Sequence, residues 1–387
     1  MSRRRLTVLL LVPLALATLL AGCGNRSTVL PPTPLKPFHP RIGVIRLWSH
    51  EVGSGAGGQR YGLLPAVDAG GGVVFAASRG GRVAAWQART GRLLWSIRIG
   101  QAITAGPGVG EGRLAVVTRR GWLVVLSAKN GRTLWRAHLL SFALAPPVIA
   151  FGRVVVLTGD SRVWNFSARR GTLLWKIHER EPHLLLRGNA PPIVTRHGVY
   201  AGFSDGHVVA IVTATGHERW HTALAYAPGH NQVQRMVDVA WRMGLNHHQL
   251  FAVNDHGRLV CLSSQTGKRV WSRHVSSLAG LSVGQENVYV TGQRGVIRVF
   301  DRTTGLPIWT NPDFLGRRLT APTPFGPAVV TGDLKGWVEF LSRQTGHLLD
   351  RVRAGDSAIE QAPVTARGRL FVLTSGGRLV AYRLAPR

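Results

Sequence analysis

Cysteine is nearly missing from this sequence: Cys23 and Cys261 are the only two among 387 residues. So few thiols build neither a disulfide framework nor a multi-cysteine zinc site, and stability must come from packing. Acids are scarce too, 18 Asp and Glu against 48 Lys and Arg, which leaves a formal charge of +30. A site that gathers carboxylates around a metal is hard to build from that supply, while the excess of cations raises a nucleic-acid reading. Lysine is the third shortage, with only Lys36, Lys129, Lys176, Lys268 and Lys335 present, so the charge is carried by arginine. Hydrophobic residues are not short. At 45% they are typical of a chain that folds around a core, and above what keeps a charged chain disordered.

The one long apolar run stands at the start. Arg3, Arg4 and Arg5 precede a stretch from Leu6 to Leu20, followed by Leu20-Ala21-Gly22-Cys23. A basic region, an apolar region and small residues before a cleavage point make a secretory signal, and the run is too short and too early for a good spanning helix. Leu20-Ala21-Gly22-Cys23 resembles a bacterial lipobox. That resemblance implies removal of residues 1–22 and acylation of Cys23 (palmitate-type chains), with Gly24 after the cysteine favouring the outer membrane. Each buried CH₂ of such a chain is worth about 0.8 kcal/mol. Residues 23–42 hold Pro31, Pro32, Pro34, Pro37 and Pro40 and read as an extended tether of about 3.1 Å per residue. Export places the charge outside the cytoplasm and removes nucleic acid as a partner.

The rest of the chain repeats itself. Six times it reads Gly, three residues, Trp: Gly91/Trp95, Gly131/Trp135, Gly171/Trp175, Gly216/Trp220, Gly267/Trp271 and Gly305/Trp309. A seventh copy, at Gly346, carries Asp350 in the Trp place. The glycines are 40, 40, 45, 51, 38 and 41 residues apart, the length of a four-stranded propeller blade. In the first copy residues 72–77, 82–87 and 92–97 alternate as strands between Gly-containing turns, after a strand led by Pro65. The later copies begin at Pro107, Pro147, Pro192, about Ala240, about Gly280 and Pro322. The turn glycine takes φ > 0 without a Cβ clash, and the Thr before it bonds locally. Trp48, Trp95, Trp135, Trp175, Trp220, Trp271 and Trp309 then read as flat blade-to-blade contacts, each indole N–H needing an acceptor.

After Pro363 three strands remain and the chain stops without its Gly-x-x-x-Trp strand. Residues 43–48, which end in Trp48, have that pattern at the other terminus and are expected to complete the last blade. The fold class is therefore all-β: an eight-bladed β-propeller of four-stranded antiparallel blades, one domain over residues 43–387, closed by strands from both termini.

The pattern Ala88-Arg89-Thr90-Gly91-Arg92-Leu93-Leu94-Trp95 resembles the tryptophan-docking motif of pyrroloquinoline-quinone-like propellers, and the likeness covers about residues 43–384. Quinone-dependent alcohol dehydrogenases share that class, and their chemistry needs oxygen ligands for Ca²⁺ and a carboxylate base. Here Asp160, Asp205, Asp255, Asp301 and Asp333 sit singly in turns, where Asp usually accepts from the local backbone. The adjacent-cysteine disulfide of those enzymes has no counterpart. The reading is non-catalytic, with no cofactor and no metal. His247-His248 would point to opposite sides of a strand and reads as a polar turn; Cys261 takes the place that Ala85 has in the first copy and reads as a small buried hydrophobe.

Two inserts break the repeat, residues 177–190 with Leu184, Leu185 and Leu186, and residues 224–241. Three leucines in a connection either pack on a blade edge or await a partner. With the lipobox, the proline-rich segment, the eight repeats and the run Leu184-Leu185-Leu186-Arg187-Gly188, the chain resembles the BamB family, lipoproteins of the β-barrel assembly (BAM) machinery. The resemblance implies a scaffold that assists folding and insertion of outer-membrane proteins by binding BamA POTRA domains, alongside other BAM subunits. It assigns that contact to Leu184, Leu186 and Arg187, with Arg235 and Asp238 on the same face. Ala240 stands where the family usually has a second aspartate, so the second loop matches only in part. Unfolded outer-membrane proteins are further candidate partners, through strand addition at exposed blade edges. The implied location is the outer membrane, lipid-anchored through Cys23 on the periplasmic side. The alternative is a general envelope propeller that serves another partner.

Arginines recur in turns and outward strand positions of every blade, among them Arg79, Arg82, Arg119, Arg120, Arg169, Arg170, Arg317 and Arg318. Such dispersal speaks for attraction to anionic headgroups or adaptation to an acidic envelope rather than for a docking patch.

Overall fold

The computed structural model describes residues 31–55, 61–179, 190–224, 242–255 and 257–386. Among these residues the regular elements are thirty-three strands, grouped in eight sheets that make the eight blades of a propeller. In blade 1 the chain runs outward from the ring centre through Ala66–Val67, Val73–Ala77, Arg82–Gln87 and Leu93–Arg98. The two middle strands are apolar on both faces because a neighbouring blade covers each one; Val74 to Ala77 and Val83 to Trp86 are all buried. The outer strand has a neighbour on one side only and alternates between exposed and half-buried. The core therefore lies between blades: Phe75 and Val83 of blade 1 pack with Leu114 and Val124 of blade 2.

Closure follows the sequence expectation. Val44–Glu51 pairs antiparallel with Arg378–Leu384, from Val44 opposite Leu384 to Glu51 opposite Arg378, and completes blade 8. Blade 2 departs from it. Its innermost strand, Ile103–Gly110, starts before Pro107 and gains a fifth, parallel neighbour, Gly62–Leu63. A Cβ on Gly62 would stand 2.0 Å from the Leu144 carbonyl oxygen, so only glycine permits that approach.

The seven tryptophans have one environment. The indole N–H groups of Trp48, Trp95, Trp135, Trp175, Trp220, Trp271 and Trp309 donate to the carbonyls of Ala88, Ala128, Ala168, Thr213, Ser264, Arg302 and Arg343 at 2.9–3.2 Å. Each ring lies on the turn glycine of the next blade, Gly91 under Trp48 and so on round to Gly346 under Trp309. These glycines hold φ of 69–78°, and a Cβ on any of them would fall 2.5–2.8 Å from the indole. The repeat thus pairs a donor, an acceptor and an empty seat.

Asp350 breaks the series for a reason of topology. Its junction faces blade 8, whose outer strand comes from the other end of the chain, so blade 8 has no turn between its third and outer strands and offers neither glycine seat nor carbonyl. A tryptophan would have nothing to bond. The buried Asp350 carboxylate accepts the Val44 amide instead.

Two expectations about charge and tether change. Arg317 is not at the surface: it is 5% exposed, and its Nε donates to the fully buried Asp333 at 2.8 Å. Arg79, Arg119, Arg120, Arg169, Arg170 and Arg318 are exposed and Arg82 is half-buried. Within the proline-rich segment, the stretch from Thr33 to Arg41 is bonded to the ring rather than free. Thr33 N–H donates to Leu315 and Arg41 N–H to Leu349, both at 2.8 Å.

Candidate partner interface

A propeller has two faces. On one, which we call the connection face, each outer strand hands the chain to the innermost strand of the next blade. Both long inserts are such connections. Residues 180–189 follow Leu173–His178 and precede Ile193–Val194; residues 225–241 follow Glu218–Ala223 and precede Gly244–Asn246. Leu184, Leu186, Arg187, Arg235 and Asp238, and likewise Cys23, lie outside the described residues.

What is described is the footing. Glu179 N–H donates to Ser161 at 3.1 Å and Leu224 N–H to Gly206 at 3.0 Å. The chain returns at the buried Ala190 and Met243. Both inserts therefore leave neighbouring junctions from backbone that is pinned to the ring. Between the feet lies a polar cluster. His207 Nδ1 stands 3.1 Å from Asp205, His221 Nδ1 stands 2.8 Å from Glu218, and the two imidazoles meet edge to face at 6.1 Å. The hydrogen bond to Asp205 holds His207 above the usual histidine range, against its burial. Burial would lift Asp205, but its hydrogen bonds from His207 keep it below the usual carboxylate range. Burial, with Glu218 and Asp205 nearby, raises Glu179.

Next to this cluster the same face exposes apolar side chains. Leu140, with φ of 66° and 70% exposure, and Phe142 lie in the connection from blade 2 to blade 3, and Trp122 stands nearby with its ring 4.8 Å from His138. The central opening forms a cavity of about 430 Å³ lined by connections such as Pro146, Pro192, Leu319 and Ile359. Its described lining holds one carboxylate, Glu360, and among the described residues no three His, Cys, Asp or Glu come within reach of a common metal ion.

Two short hydrolase patterns that the reading of the sequence missed, taking both to be absent, fall in blade 4. His217-Glu218-Arg219-Trp220-His221 matches the zinc-protease motif, whose histidines need a helix to share one face within reach of a metal. Here the run enters the outer strand, where four residues span about 13 Å. Gly202-Phe203-Ser204-Asp205-Gly206 matches a nucleophile elbow, which needs a strand followed by a helix. Here the turn leads into the strand His207–Val212, and Asp205 accepts the His207 amide at 3.0 Å. Neither builds its site. His247 and His248 form the turn between Gly244–Asn246 and Gln249–Val253, with φ of 51° at His247. Cys261 lies opposite Trp271 as Ala85 lies opposite Trp95, fully buried, and burial pushes its thiol up to about 12.

Sequence reasoning missed two buried arginine–carboxylate pairs in blade 7, Arg317 with Asp333 and Arg351 with Glu339. A signal existed for one. Glu339 occupies the register position held by Ala84, Val124 and Val209 in other blades, and Arg351 lies directly opposite it.

A family model described as outer membrane protein assembly factor BamB matches residues 45–104, 79–311 and 293–385. The outer membrane protein assembly factor BamB of Pseudomonas aeruginosa is 44% identical over 373 residues, which cover 96% of this chain and 97% of that one. The crystal structure of BamB from Moraxella catarrhalis superimposes with a TM-score of 0.80 at 25% identity, covering 88% of this chain and all of the other. A quinohemoprotein alcohol dehydrogenase from Pseudomonas putida, at 15% identity and a TM-score of 0.71, covers 89% of this chain with 78% of its own length and shares the fold alone.

Proposed function

This chain belongs to the BamB family of outer membrane protein assembly factors, and from that premise we propose that it is a lipid-anchored, non-catalytic scaffold that docks on BamA-like POTRA domains at the periplasmic side of the outer membrane. The full-length relatives reported above are assembly factors, not enzymes. The observation that carries the docking is the pair of long connections leaving adjacent junctions of one face from pinned feet, beside the exposed Leu140 and Phe142. A partner covers Leu184 and Leu186, worth on the order of 3–6 kcal/mol before the costs of association. Arg187 gives a charge-assisted bond to a partner carboxylate or carbonyl, and Arg235 and Asp238 extend the polar rim. Cys23 carries the acyl chains that hold the ring at the membrane.

The test is a double variant, Leu184→Ala with Arg187→Ala, in the lipidated protein. Co-purification with the BamA-like barrel is lost while the β-rich circular dichroism stays unchanged. Retained co-purification would place the contact elsewhere.

A further inference from the structure

Blade 7 holds two ion pairs that no pocket explains. Arg317 directs Nε and Nη2 to Asp333, and Arg351 Nε bridges both oxygens of Glu339 at 2.7 and 3.0 Å. Both carboxylates are fully buried and both guanidinium groups nearly so. Desolvating such pairs costs about as much as their attraction returns, so stability alone is a weak reason for them. Their remaining N–H groups have a common target. Arg317 Nη1 donates to the Thr33 carbonyl at 2.9 Å and Arg351 Nη1 to the Lys36 carbonyl at 3.2 Å. The Phe38 ring lies over the Arg351 guanidinium at 5.1 Å.

The segment they grip is bonded along its length. Thr33 donates both its N–H and its hydroxyl to the Leu315 carbonyl, at 2.8 and 2.9 Å. Lys36 Nζ meets Asp313 at 2.7 Å, and Arg41 N–H donates to Leu349. Lys36 lies at Arg351 and Arg41 at Leu349, so the segment runs antiparallel along the outer strand Leu348–Arg353 before turning into blade 8. Thr33 is held at Leu315, in the connection between Pro307–Asn311 and Thr323–Phe325. That connection lies on the face at which Glu179 and Leu224 leave their blades.

We propose that blade 7 is a binding site for the N-terminal strap, residues 33–41, in which two carboxylate-backed arginines fix where the chain departs toward its lipid-bearing end and so turn the connection face toward the membrane. The orientation rests on the proposed anchor at Cys23. From Cys23 to Thr33 the chain reaches at most about 35 Å, against about 70 Å to Gly43 for a segment that is free throughout. The strap halves the reach and gives it a direction.

The experiment uses the lipidated protein on vesicles containing a nitroxide-headgroup lipid, with a fluorophore at Arg294→Cys on the connection face or at Thr303→Cys on the opposite face. Both positions are exposed turn residues of blade 6. The expected result is quenching at least threefold stronger at position 294 than at 303. In the strap-side variant Thr33→Pro with Phe38→Ala, which leaves blade 7 intact, the Arg41 amide, bonded to Leu349 in the wild type, exchanges faster and the two labels quench equally. Equal quenching while that amide stays protected overturns the orientation. So does an asymmetry that persists after exchange shows the strap released. Failure to associate with vesicles at all overturns the anchor reading, and the orientation with it.

Discussion

Seven junctions of the ring are closed by a tryptophan on the next blade's turn glycine, whereas at the junction of blades 7 and 8 Asp350 accepts the Val44 amide and the strap, gripped by two buried arginines of blade 7 and the connection leading into it, passes along the outer strand of blade 7. The first device is local and repeats because everything it needs is made within one turn: a φ > 0 glycine, a carbonyl and a seat without a Cβ. The second is built where that turn cannot exist, since blade 8 takes its outer strand from the other terminus. A closed ring made from an open chain must have one such place. In this protein it is also the place from which the N-terminal segment departs.

The largest expected effect falls on the exceptional junction. Arg351→Ala leaves Glu339 buried without its partner and is expected to cost about 3–5 kcal/mol at pH 8, whereas Glu339→Leu with Arg351→Met stays near wild type, as chemical denaturation would show. Burial pushes Glu339 up to about 7 although Arg351 pulls the other way. A folded-state value above the ordinary 4.5 means that the proton favours the folded ring. That contribution is complete below about 4.5 and lost as pH rises through about 7, so the penalty of Arg351→Ala shrinks toward acid pH and Glu339→Gln flattens the profile across that window.

An ordinary junction comes next. Trp220→Ala removes a side chain that is 8% exposed and is expected to cost about 3 kcal/mol, with a matching fall in Tm. Restoring the repeat consensus at the exception separates the two devices most sharply. Asp350→Trp is expected to destabilise by about 1–3 kcal/mol through overpacking, because no glycine seat receives the ring. A stabilised protein would mean that the tryptophan acts by area alone. The smallest effect belongs to the strap: Phe38→Ala costs about 1–2 kcal/mol, the worth of a partly desolvated cation–π contact, and leaves the far blades unchanged in hydrogen exchange.

This contrast also marks what the sequence could say. Gly91 and Trp95 announce their blade because the motif and its cause lie within a few residues, and Trp48 without a preceding glycine announces the closure. The strap is not legible. Pro31 to Pro40 tell that the segment is neither helix nor central strand, but docking depends on carbonyls of Thr33 and Lys36 meeting arginines nearly 300 residues away or more. Arg317 and Arg318 are identical in type, and only the direction of the backbone puts one inside and the other in water. The hydrolase patterns of blade 4 show the converse: letters that match a motif lose their meaning when a strand replaces the helix on which the chemistry depends. The proposed partner loop is read only through its resemblance to a family, because Leu184, Leu186 and Arg187 carry no periodicity of their own.

The central claim is that the connection-face loops, not the ring itself, hold the partner. Titrating a soluble POTRA fragment of the cognate barrel onto the propeller by calorimetry tests it. A Kd raised at least tenfold by Leu184→Ala with Arg187→Ala, and unchanged by Asp350→Trp on the far side of the ring, is the expected result. Unchanged affinity in the loop variant would contradict it.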